Sequence, residues 1–288
     1  MIETVPTVKL ELESRPDSLV LVRGMLAGVA DLLGFDPEFV HNLKTVVSEA
    51  CNNVVLHAYD GEPGPLAVSV EIAPDEVEAV VRDWGRGIRE IAPSEDRFHV
   101  GLAVISALAD RTQFVRASGG GTEVRMAFTG QRGSRTLEAG ACIEAAEPVA
   151  LELSGDAIAT LSPVGLLAGV LARVATALAA RARFSLDRFC DVYLVTDAVA
   201  AHAAPSAVGD HLDFAVAARD HRLELTVGPF RTGSGTELRG ADGFGQLGSA
   251  LSLLAVELVV EPVGEAELWR LVVVDGDDGG GASAAVRA

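Results

Sequence analysis

The chain has 288 residues, with 41 acidic against 23 basic side chains, a net charge of −18, and 49% hydrophobic residues. That length suggests two domains with room for a core in each, and the charge argues against a protein that grips nucleic-acid phosphates or an anionic membrane. Cys51, Cys142 and Cys190 have neither metal-ligand spacing nor a disulfide pattern; a reducing cytoplasm is expected, with Cys51 and Cys190 acting as small buried hydrophobes. Met1-Ile2-Glu3-Thr4 lacks the order of a signal peptide, and the apolar run Val164 to Ala180 is broken by Arg173 and two glycines, which argues against a membrane span.

In chain order, Val8 to Leu12 alternates and predicts a half-buried strand. Pro16 to Leu33 predicts an amphipathic helix stopped by Gly34. A second helix opens at Asp36-Pro37-Glu38, with Asp36 as N-cap and Pro37 as first helical residue. Val40, Leu43, Val46, Val47, Ala50 and Val54 form its core stripe. Glu49, Asn53 and His57 stand four apart and share another face. That face suits a site: the Asn oxygen is a hard neutral ligand for Mg²⁺, and the Glu can take a proton from an attacking hydroxyl. It also suits a solvated polar face. After the turn Asp60 to Pro65, Leu66–Ile72 and Val77–Arg82 predict a hairpin whose second strand delivers Asp83-Trp84-Gly85-Arg86-Gly87. A carboxylate there can accept from an exocyclic amine such as adenine N6, and glycines let backbone approach a ring; an ordinary glycine turn is the other reading.

Arg89 to His99 has no period and predicts a mobile loop over a ligand. Val100 to Asp110 predicts a helix opened at Gly101, either a phosphate-binding helix start or a core helix with an incidental glycine. Gln113–Arg116 is a short strand, Ser118 to Glu123 a tight turn through Gly121, and Val124–Phe128 the closing strand. Thr122 can hold a water or a base edge, or simply start that strand.

Taken together, E-x-x-x-N on a helix, D-x-G-x-G after a strand, Gly before a helix and G-G-G-T-E before a strand make residues 5–130 resemble the GHKL (histidine-kinase-like) ATPase fold. Within it they resemble the anti-sigma-factor serine kinases, whose N-box is similar to Glu49-Ala50-Cys51-Asn52-Asn53-Val54-Val55-Leu56-His57-Ala58-Tyr59. The resemblance implies Glu49 as general base, Asn53 as Mg²⁺ ligand, Asp83 as adenine reader, Gly85 and Gly87 shaping the base pocket, Gly101 at the phosphate end, and Gly121 and Thr122 near the adenine. It implies ATP and Mg²⁺ as cofactors, and a sigma factor or anti-sigma antagonist as partner. One departure stands out: His99 occupies the place of the first glycine in the family's G-x-G box.

The element order then recurs. Residues 131–148 read as a linker. Val149–Leu153 predicts a strand, Ser162-Pro163 opens a helix to Ala180, and Ser185 opens another over Leu186–Ala203. Leu212–Val216 and Leu223–Val227 predict a strand pair, Phe230–Phe244 a Gly-rich loop, Leu247–Leu258 a helix and Leu268–Val274 a last strand. Leu194-Val195-Thr196-Asp197-Ala198 lies opposite Val46 to Ala50 at a displacement of 148, and Gly248 opposite Gly101 at 147. On this alignment Asp197 replaces Glu49 and Ala201 replaces Asn53; no Asp stands near Gly228, and Glu265-Ala266-Glu267 replaces the triple glycine, so two carboxylates would repel phosphates.

The expected architecture is therefore α+β: two tandem sandwiches, each a mixed sheet with helices on one face. Domain 1–130 binds Mg·ATP, 149–275 is a degenerate copy, and 276–288 is a disordered tail. The two copies would form a pseudo-dimer, or the chain a homodimer. The expected activity is phosphorylation of a serine on an anti-sigma antagonist. The alternative is a nucleotide-gated protein that sequesters a regulator without turnover, which His99 would favour.

Overall fold

The computed structural model describes residues 5–87, 96–130, 151–239, 254 and 257–275, apart from the side chains of 96–100 and 239. β1 (Thr7–Glu13) buries Val8, Leu10 and Leu12 on one face and turns Lys9 and Glu13 outward. Such alternation marks a strand packed on one face. α1 (Ser18–Leu33) ends at Gly34, whose φ of 67° closes the helix in the left-handed region. α2 (Pro37–His57) starts where Asp36 accepts from the Glu38 N–H at 2.9 Å. It buries Leu43, Val46, Val47, Ala50, Cys51 and Val54; Val40 is only partly buried. Then follow β2 (Pro65–Ile72), β3 (Glu76–Asp83), α3 (Asp96–Leu108), β4 (Arg111–Arg116) and β5 (Thr122–Thr129).

The second half contains β6 (Ala157–Ser162), a 3₁₀ turn at Val164–Leu166, α4 (Leu167–Arg181), α5 (Leu186–Ser206), β7 (Leu212–Arg219), β8 (Arg222–Arg231), the short α6 (Ser234–Arg239), β9 (Glu257–Val263) and β10 (Ala266–Val274). All the named strands join one ten-stranded sheet in the order β4-β5-β3-β2-β1-β6-β7-β8-β10-β9. Read outward from the β1–β6 seam, the two wings have the same order. The α+β class holds, but every pairing among the described residues is antiparallel rather than mixed. Two helices in succession return the chain to the end of the sheet it left, so β2 runs against β1. A single helix makes β4 parallel to β3, and β5 is inserted between them.

The halves meet along Thr7↔Ser162 to Leu12↔Ala157 and where α1 crosses α4. The crossing is backbone on backbone: a Cβ on Gly28 would lie 2.0 Å from the Gly169 carbonyl oxygen. Arg173 pairs with Asp31, and Arg181 reaches Asp156 at 2.6 Å and Asp17 at 3.7 Å. The segment Val164–Arg181 has the length and apolarity of a membrane span, and half of it is buried within the fold.

Several expectations change. The strand expected at Val149–Leu153 is instead β6; residues 151–154 are not strand, and β6 earns its place by pairing with β1. The helix expected over Leu247–Leu258 gives way to β9 at Glu257; residues 247–253, with Gly248, lie outside the described residues, as do the linker 131–148 and the tail 276–288. Asp275, the first residue of the acidic C-terminal run, is fixed: it accepts from both the backbone N–H and the hydroxyl of Ser185 at the start of α5. Cys190 is exposed, whereas Cys51 is buried, its thiol pushed up to about 12 by burial and so inert at neutral pH. The helical displacement is 149, not 148: Pro37 and Leu186, and His57 and Ser206, are each 149 apart. Buried Val46 and Val47 therefore match buried Val195 and Thr196, which sets Ala198 opposite Glu49 and His202 opposite Asn53.

Candidate nucleotide site

The site is built where the end of α2 meets the end of β3. Tyr59, just past α2, donates its hydroxyl to the Pro65 carbonyl at 2.6 Å and accepts from the Trp84 N–H at 2.7 Å. The Arg86 N–H donates to the Ala58 carbonyl at 3.1 Å. Gly85 passes so close that a Cβ there would sit 2.2 Å from the same carbonyl. The D-x-G-x-G loop is thereby clamped to the helix that carries Glu49 and Asn53. Tyr59 stands in the sequence motif, but its bridging role depends on three chain segments and was not expected. The Arg86 side chain pairs with Asp60 and stays partly exposed, as expected of a solvent-facing cation, while Trp84 lies half-exposed beneath the Arg82 guanidinium, 4.8 Å from the ring centroid.

Asp83 is 4% exposed. Its carboxylate accepts from the Gly85 N–H at 2.8 Å and from the backbone and hydroxyl of Thr122. Burial pushes its carboxyl above the ordinary aspartate range, against those hydrogen bonds, which pull it down. Gly121, with φ of 82°, lies against the Asp83 carbonyl, where a Cβ would come within 2.0 Å. A Cβ on Gly87 would come 3.2 Å from the Gly121 carbonyl oxygen and 3.9 Å from the Arg116 Nε. Arg116 pairs across β4–β5 with Thr122 and so projects from the same face of the sheet; nothing in its sequence context singled it out.

Glu49 and Asn53 are both half-buried on α2, and His57 is exposed at its end. Glu49 lies against α3: a Cβ on Gly101 would stand 2.4 Å from its Oε1. Gly101 thus meets the candidate base directly. It does not open its helix, because α3 begins at Asp96 and places Gly101 in the second turn, where its N–H has an intrahelical acceptor. The helix-start amide expected of Gly101 is therefore not available there. Residues 88–95 and the His99 side chain, and with them the expected lid and the altered glycine box, lie outside the described residues. Among the described residues no three His, Cys, Asp or Glu side chains group as a metal site.

A buried carboxylate, a glycine-clamped loop and a helix bearing Glu and Asn thus stand together at one end of the first wing. Residues 12–128 match the family described as histidine kinase-like ATPase domain. The chain is similar to serine-protein kinase RsbW of Bacillus pumilus, 40% identical over 88 residues, which is 30% of this chain and 54% of that protein. It is also similar to serine-protein kinase RsbW of Bacillus cereus strain ZK / E33L, 28% identical over 133 residues, or 41% of this chain and 83% of the relative. The chain thus spans about half the length of the first of these relatives and most of the second.

Proposed function

We propose that this chain is an anti-sigma-factor-type serine/threonine protein kinase of the cytoplasm. It binds Mg·ATP in its first domain, 1–130, and phosphorylates a serine of an anti-sigma antagonist protein. The observation that carries the reading is buried Asp83, its carboxylate accepting from the Gly85 N–H in a loop clamped to the end of the helix that bears Glu49 and Asn53. The relatives named as serine-protein kinases support the reaction class.

Asp83 accepts the exocyclic amine of the base, Thr122 keeps that carboxylate in place, and Gly85, Gly87 and Gly121 keep side chains out of the base pocket. Asn53 would hold Mg²⁺ through its side-chain oxygen, and the ion would supply positive charge at the phosphates. Glu49 accepts the proton of the partner's serine hydroxyl. The domain 149–275 is read as a degenerate copy joined by the linker 131–148, so that one chain makes its own pseudo-dimer; the matching order of the two wings of the sheet supports this. A sigma factor is the second protein such a chain would hold. Sequestration without turnover is the competing reading, and it rests on His99.

Incubation of the intact chain with γ-labelled Mg·ATP and a serine-bearing antagonist is expected to place label on phosphoserine of the antagonist. Nucleotide binding without any transfer would leave the sequestering role instead. Acid should weaken the complex early. Base recognition uses the ionised Asp83 carboxylate, and burial raises the pH at which that group takes up a proton. ATP affinity is therefore expected to fall, on lowering the pH, sooner than for an ordinary aspartate, and Asp83→Asn to bind weakly at every pH. Titration calorimetry across the acidic range reads both.

A further inference from the structure

The second wing ends in a loop of the same spacing as the D-x-G-x-G loop. Arg231, the last residue of β8, stands in the place of Asp83, and Thr232-Gly233 lead into Ser234-Gly235 at the start of α6. No carboxylate ends β8 to hold this segment. The carboxylate comes from the opposite strand. Glu267 on β10 lies two residues before Trp269, as Thr122 on β5 lies two before Val124, and it pairs across the sheet with Phe230 of β8. Its side chain accepts from the Gly233 N–H at 2.9 Å, the Ser234 hydroxyl at 2.7 Å, the Gly235 N–H and the Trp269 indole N–H at 3.2 Å.

The first wing has its carboxylate on β3 and its hydroxyl on β5; the second wing has the carboxylate on β10 and the hydroxyl at the start of α6. The first glycine of G-x-G donates to the carboxylate in both. The difference lies in how the carboxylate is held. Asp83 accepts from one glycine of its own loop and from Thr122, whereas Glu267 gathers four donors, three on Oε1 and one on Oε2, and so ties β10 to the start of α6. Glu267 is 5% exposed, and Trp269, fully buried, stacks on Phe230 with centroids 3.7 Å apart. Burial pushes the Glu267 carboxyl up, but the four donors outweigh it and hold it below the ordinary range, so the group stays ionised and bonded at neutral pH.

We infer that the second half is a self-liganded site: Glu267 replaces an external ligand in ordering the loop after β8, so this half is closed without nucleotide and does not respond to it. The inference deepens the degenerate-copy reading above but concerns only the second half, and it holds whether or not the first half transfers phosphate.

Amide hydrogen exchange on the intact chain tests it. In the wild type, the Gly233 and Gly235 amides are expected to be protected without nucleotide and unchanged by saturating Mg·ATP, while amides around Gly85 gain protection. Glu267→Ala should speed exchange at Gly233 and Gly235 by about 10- to 100-fold, the loss expected for hydrogen bonds to a charged acceptor. Should that variant unfold, the wild-type comparison still decides. Fast exchange at Gly233 and Gly235 that slows only when Mg·ATP is added would overturn the inference. If instead nothing around Gly85 responds to Mg·ATP while Gly233 and Gly235 stay protected, the ATP reading of the first half fails and the self-liganded second half stands.

Discussion

Glu49→Gln is expected to cut phosphotransfer by about 10²- to 10⁴-fold, the usual contribution of a positioned general base, and to leave Mg·ATP affinity within a few-fold of wild type. The separation follows from where the groups stand. Glu49 presses against α3 at Gly101, away from the Asp83–Thr122 pair that would read the base. The amide of Gln fills the same space and keeps α3 in place, so the substitution removes the proton acceptor and little else. Single-turnover assays with a serine-bearing partner, run beside nucleotide titrations, give the two numbers. Equal losses in binding and transfer would mean that Glu49 holds the nucleotide and is not the base.

Gly28→Ala is expected to destabilise the chain by about 1–3 kcal/mol, the range for forcing atoms into a filled contact. The sign is what makes the test sharp. In an open helix the same change stabilises by about 1 kcal/mol, because glycine is the poorer helix former. Here the new Cβ would meet the Gly169 carbonyl oxygen at 2.0 Å and its carbon at 2.5 Å, and backbone cannot rotate aside. Gly24, one turn earlier on the same helix, provides the control. A Cβ there meets the Arg173 Cβ at 3.5 Å, an ordinary contact, so Gly24→Ala is expected to be neutral or stabilising. Urea unfolding of the two variants separates a seam held by close helix approach from one held by the β1–β6 strand pairing alone.

Features with local causes were legible in the sequence. Asp36 and Pro37 set the start of α2, Gly34 the stop of α1, and period-2 burial the strands β1, β2 and β3. The parts of the candidate site carried by short motifs were legible for the same reason, and Asp83, Gly85, Gly121 and Thr122 do come together. What failed depends on distant partners. β6 is a strand because Ser162 pairs with Thr7 far back in the chain. Gly101 was read as a helix start because no cap residue marks Asp96 as distinctly as Asp36 marks α2. The displacement of 148 missed by one residue because Val46-Val47 resembles Leu194-Val195 as well as Val195-Thr196. On a helix one residue is a rotation of about 100°, so only the observed burial settles which face is inside. Glu267 looked like a group that would repel a phosphate. Three of its four partners arrive from the β8–α6 junction more than thirty residues earlier, Ser234 lying 33 residues away, and no local pattern announces them.

The most direct measurement is a calorimetric titration of Mg·ATP into the intact chain and into Asn53→Ala. One nucleotide per wild-type chain is expected, with binding lost or reduced by at least tenfold in the variant. Two nucleotides per chain, or one that Asn53→Ala leaves unchanged, would contradict the assignment of a single Mg·ATP site to the first half.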